Sequence, residues 1–98
     1  MQQTEHEAIF SAQKNLQYDE YVRRAVELSF EGNFVTALSY FRRAIELEPL
    51  NWRAYFHRGN EYFNTEQKDE AKKDLLFALE KCTNLPPQYA FVIKGCLL

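Results

Sequence analysis

Residues 24–49 read RAVELSFEGNFVTALSYFRRAIELEP, and most of this pattern returns 34 residues further along the chain. The residue pairs that keep this spacing match in size and polarity. They are Tyr21 and Tyr55, Arg24 and Arg58, Ala25 and Gly59, Leu28 and Tyr62, Ala37 and Ala71, Phe41 and Leu75, and Ala44 and Ala78. A period of this length with two helical stretches per unit predicts a stack of helix hairpins, each burying its apolar face against the next.

Capping and breaking residues divide the chain into helices. Thr4 and Glu7 form a capping box, which predicts a first helix over residues 4–16. Residues 15–18 contain no strong breaker, so this helix either ends there or continues into the next, and we favour a short break with Asp19 near a new N-terminus. Gly32 tolerates the positive φ that ends a helix, and Pro49 ends the next one. We therefore expect about six helices, over residues 4–16, 19–31, 34–47, 51–64, 67–82 and 87–98.

The two hairpin turns differ in sequence. The second, Thr65-Glu66-Gln67, lacks the glycine of the first, so we expect the same backbone path there with some added strain. The last predicted helix repeats part of the helix over residues 51–64, at an offset of 36 residues. Tyr55, Arg58, Gly59 and Tyr62 return as Phe91, Lys94, Gly95 and Leu98. The predicted organisation is one domain over 1–98, with an N-terminal helix (4–16), two repeats (18–51 and 52–85) and a C-terminal helix (86–98) that begins a third.

Small side chains recur where the helices of a hairpin should cross. Ala25, Gly59 and Gly95 are expected to lie beneath a facing helix, and Ala37 and Ala71 face them from the other side. A larger side chain at these positions would hold the helices apart. Constant spacing of small residues therefore predicts closely nested hairpins.

These residues resemble the tetratricopeptide repeat. The matching positions in the first unit are Tyr21, Ala25, Leu28, Gly32, Ala37, Phe41, Ala44 and Pro49. Those in the second are Tyr55, Gly59, Tyr62, Ala71, Leu75 and Ala78, while Glu66 replaces the turn glycine and Thr83 the closing proline. The resemblance implies two full repeats and a partial third in an all-α, right-handed superhelical stack, an α-solenoid. It also implies a non-catalytic protein–protein interaction scaffold.

Composition limits the other classes of function. The 98 residues are 46% hydrophobic and 27% charged with a net charge of −2, which favours a globular domain without a nucleic-acid or membrane surface. The two cysteines lack a disulfide framework and no secretory signal opens the chain, so a cytoplasmic location is expected. The charges of residues 68–74 predict a solvated face. No catalytic or cofactor motif occurs, and His6 and His57 lack partners at metal-ligand spacing.

The first helix of each hairpin should line a concave groove. On these helices, the residues that point away from the face packed within the hairpin are candidates for binding a peptide or helix of a partner protein. They are Val22, Val26, Phe30, Arg53, Phe56, His57, Asn60, Phe63 and Asn64. Related repeats hold acidic peptide tails with a clamp of Lys, Arg and Asn, and Val22, Val26 and His57 depart from it here, so a more apolar ligand is expected.

An alternative is that the chain is a structural or assembly module. Its own termini would then fill the groove, and the apolar last helix would mediate self-association. The residues expected at that homo-oligomer contact are Tyr89, Phe91, Val92, Leu97 and Leu98. The sequence leaves both functions open.

Overall fold

The computed structural model describes residues 2–82 and 85–97, with side chains from residue 9 onward except Phe10. This part of the chain forms five helices and no strand, which confirms the all-α prediction. They are α1 (Gln2–Phe30), α2 (Phe34–Leu47), α3 (Trp52–Asn64), α4 (Lys68–Lys81) and α5 (Pro87–Leu97). The tightest packing joins α1 to α2 and α3 to α4, and the two hairpins stack mainly through α2 and α3.

The helix count differs from the prediction because α1 is continuous. The expected break between Leu16 and Asp19 does not occur, since neither proline nor glycine lies between Gln2 and Phe30. At about 1.5 Å per residue, the 29 residues of α1 extend well beyond the 14-residue α2. Its helix begins two residues before Thr4, and the side chains of the capping box lie outside those described.

Both hairpin turns end their first helix in the same way, as the repeat predicts. Gly32 has φ of 84° and Glu66 has φ of 64°. The amide of Asn33 donates to the carbonyl of Leu28 at 2.9 Å, and the amide of Gln67 donates to that of Tyr62 at 2.8 Å. These bonds satisfy carbonyls that the helix end leaves unpaired. The prediction of one backbone path in both turns is confirmed, with the strained residue at Glu66.

Exchanging residues between the turns should change stability in opposite directions. Gly32→Ala should lower the free energy of unfolding by about 1 kcal/mol, because left-handed backbone disfavours a Cβ. In the part of the chain that the structure describes, no atom lies within 4 Å of a Cβ built on Gly32, so backbone strain is the expected effect. Glu66→Gly should raise stability, because it relieves the backbone strain at this residue. The gain should be less than about 1 kcal/mol, because glycine also gains conformational freedom in the unfolded chain. Urea unfolding of both variants measures this, and a loss at Glu66→Gly would contradict it.

Small residues allow the helices to approach closely, as predicted, except at Gly95. Ala25 and Ala37 are fully buried, and Ala71 is 2% exposed. A Cβ built on Gly59 would lie 2.9 Å from the Cγ of Leu75 in α4. No described atom lies within 4 Å of the equivalent Cβ on Gly95. The expectation of a covering helix at Gly95 is wrong, because no described helix occupies the position over α5 that α4 takes over α3.

Tyr18 joins the two hairpins through a buried hydrogen bond. Its side chain is 1% exposed, and its hydroxyl accepts a hydrogen bond of 2.9 Å from the amide of Ala54 in the first turn of α3. The Asn51 side chain accepts a hydrogen bond from the neighbouring amide of Arg53. The start of α3 would otherwise leave both amides unpaired. Burial raises the pKa of the Tyr18 phenol to about 12, so it stays a neutral partner.

Removing that hydroxyl should be costly. Tyr18→Phe should lower the free energy of unfolding by about 1–3 kcal/mol, because the buried amide of Ala54 loses its acceptor. Tyr21→Phe is the control, since the one hydrogen bond of the Tyr21 hydroxyl to a described residue is with the exposed Gln17. Urea unfolding should show a change below about 0.5 kcal/mol for the control. Equal effects of the two substitutions would contradict the role given to Tyr18.

The last helix packs on the second hairpin. Ile93 of α5 is fully buried in a cluster with Phe56, Leu75 and Ala78. Cys82 and Cys96 are free thiols, as the sequence predicts. None of the helices in the described part of the chain is both long enough and apolar enough to cross a membrane.

Candidate functional site

Four helices surround a cleft of about 640 Å³. α3 contributes most of the lining, with Phe56, His57, Asn60, Glu61 and Asn64. α1 adds Val26, Ser29 and Phe30, and α2 adds Phe34 and Phe41. α5 closes the opposite side with Gln88, Tyr89 and Val92. The cleft is therefore bounded by both hairpins and by the last helix.

Six of the nine residues predicted for the groove lie together around this cleft. They are Val26, Phe30, Phe56, His57, Asn60 and Asn64. Phe30 is 89% exposed, whereas Phe56 is 4% exposed and lies at the floor. In the alternative function, the N-terminal helix would cover the groove. Its described residues Ile9 and Leu16 are instead 58% and 71% exposed and line no part of the cleft.

Two apolar groove residues were expected to lie outside the hairpin core, and this is wrong. Val22 is 3% exposed and packs in a cluster with Tyr18, Ala44 and Ala54, because α3 crosses α1 at this point. Phe56 is covered by α5, with its ring centroid 4.9 Å from that of Tyr89. Val22 therefore contributes to stability alone, and Phe56 both supports α5 and forms the cleft floor.

The two remaining predicted residues lie elsewhere. Arg53 pairs with Asp19 of α1 at 3.3 Å, and both side chains are about half exposed, so this ion pair contributes little to stability. Phe63 is partly buried and lines a separate cleft of about 300 Å³ between α3, α4 and α5. Neither side chain lines the main cleft.

His57 is a neutral aromatic member of the cleft wall at pH 7. Its ring lies parallel to Phe41, 6.3 Å away between centroids, and edge-on to Phe56 at 5.2 Å. Burial, and secondarily the charge of Arg53, lower the pKa of His57 from 6.5 to about 4. Protonation would place a poorly solvated charge among aromatic rings.

The free energy of unfolding should therefore decrease as the pH is lowered through a range set by the pKa values of His57. The folded-state pKa lies below the unfolded value, so the unfolded chain binds more protons as the pH drops from 6.5 toward 4. Between pH 7.5 and 5.0 this should remove about 2 kcal/mol of unfolding free energy. Urea unfolding at both pH values measures the loss, and His57→Gln should abolish most of it. An equal loss in the variant would assign the pH dependence to other groups.

Glu61 is a buried carboxylate in the cleft wall, and the sequence prediction missed it. It is 2% exposed, and its Oε2 accepts a hydrogen bond from Ser29 Oγ of α1. Helical spacing was a usable signal, because Glu61 follows His57 by four residues and precedes Asn64 by three. The α5 residues of the cleft had no such signal. Their position depends on the path of the link before α5.

The fold is that of a helical-hairpin repeat protein, with two stacked hairpins and one further helix. Residues 40–73 match the family model of the tetratricopeptide repeat. A comparison with curated protein sequences found no significant match. This match covers 34 of the 98 residues and confirms, over that segment, the resemblance inferred from the residue pattern. Repeats of this family serve in protein–protein interaction, and this is the class of function that the match supports.

Proposed function

We propose that the chain is a non-catalytic scaffold that binds a helix or extended segment of a partner protein in the cleft. The observation that carries the proposal is the apolar character of the cleft rim. Phe30, Phe34 and Val92 line it and are 89%, 40% and 38% exposed. Exposed apolar surface of this kind is costly in water and typically marks an interaction site.

The cleft has the shape and chemistry that such a ligand needs. Its volume of about 640 Å³ lies within the range of about 300–1,000 Å³ found for binding pockets in proteins. Apolar side chains of the partner would lie between Phe30 on α1 and Val92 on α5. The amides of Asn60 and Asn64 would bond to polar groups of the partner. This is the mode in which an apolar face of a peptide enters a hydrophobic groove.

Peptide selection followed by binding measurements tests the proposal. Peptides of 16 random residues would be selected by phage display on the immobilised chain, and their affinities measured by fluorescence anisotropy. Phe30→Ser should weaken binding at least about tenfold, as for an exposed aromatic anchor. Val35→Ser is the matched control, because Val35 is 85% exposed but lies outside the cleft. The proposal fails if no binders emerge, or if both substitutions leave affinity unchanged.

A second candidate function is self-association through α5. Phe91 is 80% exposed on this helix, and Gly95 has open space where its counterpart Gly59 is covered by α4. Tyr89, Val92 and Leu97 would complete the contact. Leu98, also expected there, lies outside the described residues. A second copy of α5 could pack closely across Gly95, because glycine permits close helix approach.

A point substitution tests self-association better than truncation does. Removing α5 would also remove the buried Ile93 and expose Phe56 and Leu75. Phe91→Asp changes only an exposed side chain. Sedimentation equilibrium of the full chain should show a dimer that Phe91→Asp converts to a monomer. A monomeric unaltered chain across the measured concentrations would contradict this function and leave peptide binding as the sole proposal.

A further inference from the structure

Among the described residues, one buried side-chain atom in the cleft wall has no hydrogen-bond partner. Glu61 Oε2 is bonded to Ser29, but no described donor reaches Glu61 Oε1. Leaving a buried acceptor unpaired is unfavourable, and more so for a charged group. Such an atom in a cleft wall points to a donor supplied from outside the chain.

Charge in the cleft is also unbalanced. Among the described residues that line it, Glu61 carries the one formal charge, because burial holds His57 neutral at pH 7. The two arginines of α3, Arg53 and Arg58, are paired with Asp19 and Asp74 and lie outside the lining. The cleft therefore combines an apolar rim with an uncompensated acidic wall. A ligand with the opposite sign would match it.

We infer that the partner segment carries a lysine or arginine among its apolar residues, and that this base pairs with Glu61 inside the cleft. The inference rests on the proposed function and specifies its ligand. The alkyl stem of a basic side chain would lie along Phe56 and Tyr89, while its charged end donates to Oε1. Glu61 lines the cleft, so the basic side chain would approach Oε1 from that side. Asn60 and Asn64 can add their amide oxygens as further acceptors.

The test uses the peptides selected on the unaltered chain. In each, the basic residue would be replaced by norleucine, which keeps the apolar stem and removes the charge. Fluorescence anisotropy should show at least about tenfold weaker binding of the norleucine peptide to the unaltered chain. Glu61→Gln keeps the size of the side chain. It should bind both peptides within twofold of each other, with an affinity close to that of the norleucine peptide for the unaltered chain.

The outcomes separate this inference from the function on which it rests. Selected peptides without basic residues, or equal affinity of lysine and norleucine peptides for the unaltered chain, would overturn the inference while peptide binding stands. Failure to select any peptide would overturn both. The peptide comparison needs no protein variant, so it decides the inference even if Glu61→Gln folds poorly.

Discussion

Arg58→Met is expected to lower the free energy of unfolding by about 3 kcal/mol or more, because it leaves a buried carboxylate unpaired. The Arg58 guanidinium donates two hydrogen bonds to Asp74 of α4, at 2.7 and 2.8 Å. Asp74 is 6% exposed. The rings of Tyr55 and Tyr62 flank the guanidinium, with centroids 5.6 and 5.8 Å from its Cζ. Methionine retains the apolar stem but neither the charge nor the donors.

The repeat supplies a matched control for this prediction. Arg24 stands 34 residues before Arg58, but Tyr40 stands at the position equivalent to Asp74. Among the described residues, Arg24 pairs with the exposed Glu27 alone, at 3.3 Å. Arg24→Met should therefore cost less than about 1 kcal/mol.

Urea unfolding followed by far-ultraviolet circular dichroism measures both substitutions. Adding Asp74→Leu to Arg58→Met should recover part of the loss, since the buried charge is then gone. Similar losses at Arg24 and Arg58 would contradict the importance given to the buried pair. No recovery in the double variant would show that packing against the tyrosines, rather than charge, is the larger effect.

Leu75→Ala is expected to cost about 2–5 kcal/mol, because it opens a cavity where the helices of the second hairpin meet α5. Leu75 is fully buried in the cluster that contains Phe56 and Ile93. Leu76→Ala is the control on the same helix, since Leu76 is 44% exposed. It should cost about 1 kcal/mol or less. Equal losses would mean that α4 faces the core with a different side.

A double-variant cycle locates the contact that Leu75 makes with α3. Gly59→Ala alone should be destabilising by about 1 kcal/mol, because overpacking against Leu75 outweighs the better helix propensity of alanine. In the Leu75→Ala background the same change should be stabilising, since the added methyl enters the cavity. Gly95→Ala is the control, because no atom of the described residues lies within 4 Å of a Cβ there. It should be mildly stabilising in both backgrounds, and a cost at Gly95 would contradict the open space over α5.

Helix positions were largely predictable because their signals are local. The prediction for residues 34–47 matches α2, and the predicted ends of α3, α4 and α5 lie within one residue of those observed. Glycine, proline and the hairpin turns determine these ends through backbone geometry. Residues 16–19 were the exception. They contain no breaker, and the expected break rested only on Asp19 as the start of a new helix.

The candidate site was only partly predictable from the sequence. Helical spacing placed His57, Asn60 and Asn64 on one face of α3, and these residues do line one cleft. Spacing could not show that α5 buries Phe56, because that depends on the link before α5. The charges of residues 68–74 predicted a solvated face that includes Asp74. This is wrong for Asp74, which is buried and paired with Arg58. A charged residue on the polar side of a helix becomes buried only when a partner on another helix lies over it.

The sequence by itself determined the repeat of helical hairpins, because small residues, turns and breakers act within one or two turns of chain and recur at 34-residue spacing. Only the tertiary structure decided which polar groups are buried and where the cleft opens. Asp74 pairs with Arg58 of the same hairpin, and Glu61 accepts a hydrogen bond from Ser29 of the other hairpin. Burial of charge depends on the surfaces that stacking brings together. One helix read alone does not contain that information.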